Sequence, residues 1–222
     1  MKKALVAICA SFALLFAACE ESDWEDIISQ VVGNADFGVT NAIGTPYEGV
    51  DSVHFSSCAT NVLSGREYHG TILLGAKIDL NNASELRYPY LGIQINDTVA
   101  KSYPLDTLSF SIIDAFSPEN MLTEAINRNI IIIAQSDTSW FVSSGGTMNV
   151  SEFPAYGRAL HATVNSAKMY YITQSKIEAV RNMSAPELLT TTVDQYFNSA
   201  LINGNITSRR MDIQNLLNSL KD

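Results

Sequence analysis

Four consecutive isoleucines, Ile130-Ile131-Ile132-Ile133, followed by Ala134, admit few structures. Side chains on a strand alternate between two faces, so an unbroken apolar run predicts a strand covered on both sides. Its β-branched side chains favour that state over a helix. Around this run the β signal dominates from Val50 onward. Val53–Ala59 is strand-like, and Tyr68–Leu80 reads as a long strand ended by Asn81-Asn82, with Ser64–Glu67 as the hairpin turn between them. Tyr90–Ile95 precedes Asn96-Asp97, and Asp106–Ile113 alternates apolar with polar at period two, so both are expected to be strands. Thr138–Val142 and Thr147–Phe153 flank Gly145-Gly146, whose freedom at φ > 0 predicts a hairpin. Gly157–Val164, extending toward Ile172, supplies the next strand.

Helical signals are fewer. Ser117-Pro118-Glu119 combines a capping hydroxyl, a proline at the first helical position and an acid near the positive end, and predicts a helix to about Arg128. Pro186-Glu187-Leu188-Leu189 opens another, to about Asn198. Thr207 or Ser208 caps a last one carrying Met211, Ile213, Leu216, Leu217 and Leu220 at helical spacing. The stretch 186–222 is too short to bury a core alone, so these helices are expected to pack on the sheet rather than form a separate partner-binding tail. The expected fold is mainly β within the α+β class. It is a single antiparallel β-sandwich or partly closed barrel over 49–222, with one internal helix and C-terminal helices packed on it.

The amino terminus carries an address. Met1-Lys2-Lys3 is followed by an apolar run, Ala4–Ala18, then Cys19 and the acidic segment Glu20-Glu21-Ser22-Asp23-Trp24-Glu25-Asp26. A basic start with an apolar core too short to span a bilayer comfortably describes a removable secretory signal. Leu15-Phe16-Ala17-Ala18-Cys19 resembles a bacterial lipobox, with Phe16 where the common pattern has Leu. The resemblance implies a mature protein beginning at Cys19, its thiol carrying diacylglycerol and its several acyl chains anchoring it to a membrane. The acidic segment resembles the export signal that sends some Gram-negative lipoproteins to the outer leaflet of the outer membrane. The expected organisation is thus a signal peptide over 1–18, an acidic tether over 19–48 with one helical turn or strand near Trp24–Val32, and the β-rich domain over 49–222. Asp51-Ser52-Val53, Asp97-Thr98-Val99 and Asp106-Thr107-Leu108 resemble an O-glycosylation acceptor pattern of bacteria that use such export signals.

Charge fits that address. The 222-residue chain carries 14 Lys and Arg against 23 Asp and Glu, net −9, and removing residues 1–18 takes away Lys2 and Lys3 but no acid. Such a balance argues against nucleic acid or an anionic membrane surface as an electrostatic partner. Of three cysteines, Cys9 lies in the signal and Cys19 receives lipid, so Cys58 stands alone and no intramolecular disulfide forms. Cys58 falls in an apolar-alternating run and is expected to be a buried, inert thiol.

Motifs that would define chemistry are absent from the sequence. It has no histidine pair at metal spacing, no Cys-x-x-Cys, no Gly-rich phosphate loop and no Gly-x-Ser-x-Gly elbow, so no catalytic residue, metal or cofactor is assigned. His54, His69 and His161 fall in predicted strands and are expected to be half-exposed strand residues rather than a zinc site. A glycan hydrolase needs two facing carboxylates. Asp79, Glu85, Asp114 and Glu152 offer candidates, but as strand-end and turn acids. Aromatic faces at loop edges stack on sugars or anchor proteins, which makes Tyr88, Tyr90, Trp140 and Tyr156 the candidate ligand-binding residues against a core or sheet-surface role. The expected function is a non-enzymatic binding or structural accessory lipoprotein at the outer membrane or cell surface, its partner a glycan or an envelope protein. The alternative is an envelope glycan hydrolase or carbohydrate-binding protein.

Overall fold

Ala35, Phe37 and Val39 are buried while Asn34, Asp36, Gly38 and Thr40 are exposed, a strict period of two that makes Asn34–Thr40 a strand with one face inward. The same alternation organises most of the molecule. The computed structural model describes residues 33–55, 57–64, 69–78, 86–115, 128–152 and 159–210. In chain order the elements are β1 (Asn34–Thr40), β2 (Ser52–Phe55), β3 (Ser57–Ser64), β4 (His69–Ile78), β5 (Leu86–Ile95), β6 (Ser102–Pro104) and α1 (Phe110–Ala115). Then follow β7 (Ile130–Ser136), β8 (Ser139–Ser143), β9 (Thr147–Glu152), β10 (Ala159–Thr173), α2 (Gln174–Arg181), α3 (Ala185–Thr190), α4 (Val193–Tyr196) and β11 (Ser199–Arg210). No helix among the described residues is long and apolar enough to cross a membrane.

The strands form one curled sheet, ordered β2-β1-β11-β3-β4-β5-β7-β8-β10-β9-β6, with a further pairing of β10 on β11. That pairing brings the sheet back on itself, from β3 through β4, β5, β7, β8, β10 and β11 to β3. The closing contact is short: Arg209↔Ala59 and Arg210↔Thr60, in parallel orientation, whereas the other pairings are antiparallel. The fold is therefore mainly β, a partly closed antiparallel barrel with a few short helices, as expected from the sequence.

Two cores hold it together. The interior one joins Phe37, Phe55, Leu91, Ile131, Ile133, Phe141, Met169 and Ile202. Tyr47, in the loop after β1, stacks on Phe141 with ring centroids 4.5 Å apart and planes 7° from parallel. The second core lies between the outer face of β7, β8 and β10 and the helices, and contains Ile113, Ile130, Ile132, Trp140, Ile172, Ile177 and Phe197. The isoleucine run serves both: Ile131 and Ile133 enter the first, Ile130 and Ile132 the second. Each such side chain contributes about 1.5–3 kcal/mol of burial, which is why the run tolerates no polar interruption.

Several local expectations are corrected. Residues 34–40 are not tether, because β1 is paired on both edges, with β11 and with β2. The stretch Asp106–Ile113 is not a strand. Ser109 turns the chain into α1, its carbonyl accepting from Ile112 N and Ile113 N, and Ile113 docks in the second core. The helix expected from Pro186 begins at Ala185 but breaks after Thr190, since Thr191 and Thr192 are extended and Thr192 caps the separate turn α4 through Gln195. Thr207 and Ser208, expected as helix caps, lie inside β11. The helix expected from Ser117 lies outside the described residues apart from Arg128, as do the last helix and the segment up to Val32.

Gly145 and Gly146 take φ of +77° and +91°, but they do not make a hairpin. Strand β8 pairs with β7 and with the second half of β10, while β9 pairs with the first half of β10. Strands β8 and β9 thus run one after the other along β10, and the glycines form a kink between them, facing the bulge at Ser166. The hairpin actually present joins β7 to β8 through Asp137 and Thr138.

Candidate functional site

On β5, Leu91, Ile93 and Ile95 point into the barrel, which sends Tyr90 to the outer face, and Tyr88, beyond a register irregularity, packs against Tyr90. Tyr90 lies opposite Ala134 of β7 and is half-buried, whereas Tyr88, at the strand's outer part, is exposed. The two rings meet edge to face, centroids 4.6 Å apart and planes 63° apart. The Tyr88 hydroxyl donates to Oδ1 of Asp137, which occupies the β7–β8 turn. That turn is braced by the Ser136 hydroxyl, which accepts from Thr138 N at 3.2 Å and bonds the Ser139 hydroxyl at 2.7 Å. Partial burial and the neighbouring Asp137 carboxylate push the Tyr88 phenol up to about 12, and the same two causes raise Tyr90. Both phenols therefore remain protonated donors through the physiological range. The arrangement offers an aromatic edge, a ring face and a carboxylate within one small surface, which can hold a ring or an aliphatic stem.

The other expected ligand residues fall elsewhere. Trp140 is 3% exposed within the second core, because every residue of β8 is buried, so it is a packing residue and not a ligand platform. Tyr156 lies outside the described residues, as do Cys19, Asp79 and Glu85. Asp114 is on α1 and Glu152 at the end of β9. Asp137 was not anticipated. Its only trace in the sequence is a Ser-Asp-Thr turn between two apolar strands, a signal that any turn carries.

Several other titratable groups among the described residues are engaged structurally. His54 on β2 pairs with Asp36 on β1, and His161 Nδ1 lies 3.4 Å from the Thr207 hydroxyl. His69 is on β4. Among the described residues no three His, Cys, Asp or Glu side chains stand where they would hold a metal ion. The Asp194 carboxylate accepts from both Lys168 Nζ and the Tyr170 hydroxyl, which lowers Asp194 and fastens α4 to β10. Cys58 is fully buried, and burial, followed by the nearby Asp36 charge, pushes its thiol up to about 12. It is inert at neutral pH.

No protein-family model matches the chain, and no curated protein or solved structure matches it either.

Proposed function

We propose that the protein is an exported lipoprotein, held by acyl chains on Cys19 to the outer membrane and displayed at the cell surface, whose β-domain is a non-enzymatic binding or structural accessory. The observation that carries the binding part is the exposed Tyr88 packed on the half-buried Tyr90, with Asp137 bonded to Tyr88 at a braced turn. Aromatic side chains held rigidly beside a polar group contribute contact area at little cost in ordering, the property that makes them anchors of interfaces. The anchor part rests on Leu15–Cys19 and the acids that follow. An envelope protein or glycan is the partner class that such a location supplies.

Expression of the full chain and of Cys19→Ala, followed by membrane fractionation and external protease digestion, tests the address. Wild type is expected with membranes and protease-accessible on intact cells, and the variant is expected in the periplasmic or medium fraction. Equal partition of the two would remove the lipid anchor from the reading. Crosslinking in the native envelope, compared between wild type and Tyr88→Ser, tests the surface. A partner that persists unchanged in the variant would place the contact elsewhere.

A further inference from the structure

Beginning three strands away from the tyrosines on either side, the sheet carries a different surface. Ser102, Asn149, Thr163, Asn205, Asp36 and His54 stand directly opposite one another on β6, β9, β10, β11, β1 and β2, so one row of side chains crosses six strands. At 4.7–4.9 Å per strand the row spans roughly 24 Å. Its members lie on the outer face, since their chain neighbours Tyr103, Met148, Val150, Val164, Phe37 and Phe55 fill the interior core. All six are exposed except the half-buried Thr163, and no helix among the described residues covers them.

Two properties separate this face from an ordinary solvated one. Across 147–152, 159–165, 199–208, 34–40 and 52–55 the chain has no lysine or arginine, and Asp36 and Glu152 are its only acids. In their place stand asparagines, at 34, 149, 165, 203 and 205. Asparagine is disfavoured in strands, and solvation alone gives no reason to gather it on one face. A local rule broken repeatedly in one place marks a site where another requirement prevails. The side chains are also fixed by one another. Thr163 Oγ1 donates to Asn205 Oδ1 at 3.3 Å, Asn34 Nδ2 to Asp36 Oδ2 at 3.0 Å, and Asn203 Oδ1 accepts from Ser166 N at 2.7 Å.

We propose that this face binds a neutral, hydroxyl-rich glycan chain. Asn, Ser and Thr each both donate and accept hydrogen bonds, matching a sugar hydroxyl that does the same, whereas lysine only donates and glutamate only accepts. Short side chains lose little rotamer freedom on binding, and their mutual hydrogen bonds hold them in place beforehand. The row has no lysine or arginine, its one basic side chain, His54, is paired with Asp36, and Lys168, Arg209 and Arg210 come further along β10 and β11, so the row offers little to a phosphate or an anionic lipid. Tryptophan, tyrosine and arginine, the anchors of protein interfaces, are missing from the row. The assignment does not depend on the lipid anchor or on the tyrosine surface.

Affinity electrophoresis of the full mature chain through native gels containing dextran, laminarin or hydroxyethylcellulose tests it. At least one of these neutral polymers is expected to retard the wild type. Asn205→Lys and Thr163→Lys, which place long cations in the middle of the row at positions open to solvent, are expected to weaken retardation about tenfold or more. Asn205→Ser, which keeps a group that donates and accepts, is expected to retain it. Circular dichroism of each variant separates lost binding from lost fold. Wild type that is retarded by none of the three polymers overturns the proposal. Retardation abolished by Tyr88→Ser but unchanged in both lysine variants also overturns it, while leaving the tyrosine surface as a binding site.

Discussion

Tyr47 shows how a single side chain ties stability to pH. It is 6% exposed, stacked on Phe141, and its hydroxyl accepts from Gln135 Nε2 at 2.6 Å. Burial pushes the phenol up to about 12, the hydrogen bond from Gln135 opposing it only in part. A group whose value is raised on folding stabilises fully below its ordinary value, 10.0, and loses that contribution as pH climbs from there toward about 12. Within that window the unfolded chain has given up the proton and the folded chain has not. Stability is therefore expected to fall by about 1.4 kcal/mol per pH unit on Tyr47's account. Urea midpoints measured on either side of the window check this: Tyr47→Phe should flatten the alkaline limb, and an unchanged slope would mean that water reaches the phenol. Residues such as Cys58 were legible in advance, because an apolar neighbourhood in the chain and burial in the fold coincide there. Trp140, weighed as a ligand residue against a core role, takes the core role, and Ser139 beside it is buried too.

At the level of elements, strands whose alternation is strong were readable and strands that use glycine and asparagine were not. Strand β11 contains Asn203-Gly204-Asn205, which in isolation reads as a turn. Gly204 is there because β1 passes so close that an added Cβ would fall 1.9 Å from the Asp36 carbonyl oxygen. Nothing local announces a neighbour more than 160 positions earlier in the chain. The period-two signal in Asp106–Ile113 failed for a related reason, since Leu108 and Ile113 meet the same core from a helical turn as readily as from a strand. The glycine pair between β8 and β9 yields a test. A Cβ on Gly146 would lie 2.6 Å from both Ala167 Cα and the Ser166 carbonyl oxygen, at φ +91°, whereas Gly145, at φ +77°, has nothing within 4 Å. Gly145→Ala is expected to cost about 1–2 kcal/mol from backbone strain alone. Gly146→Ala should cost clearly more, because β10 must also move. Thermal melts of the two variants compare them directly, and equal losses would show that the kink does not press on β10.

For the whole molecule, the placement of β11 decides how the chain can be divided. Residues 186–222 were expected to be helices packed on the sheet, but β11 has β10 along one edge and β1, then β3, along the other. Removing residues 199–222 would strip β1 and β10 of their shared partner and take Ile202 and Ile206 out of the interior core, leaving the side chains packed on them open to water. That truncation is expected to yield aggregated or unfolded protein, as judged by near-ultraviolet circular dichroism and size-exclusion chromatography. A folded, monomeric product would mean that the barrel closes without β11. The overall class was legible because many strands voted for it independently. The order of the strands was not, since pairing between distant segments leaves no mark on either sequence alone.

The closing pair of residues between β11 and β3 has one more consequence. Gly33 lies against that junction, its carbonyl accepting from Cys58 N at 3.0 Å, and Asn34 faces Thr207, only three positions before Arg210. The path into the domain and the path out of it therefore meet at one corner. Joining position 33 to position 210 with a short linker and opening the chain in a surface turn is therefore expected to give a permuted domain that keeps the same strand pairings.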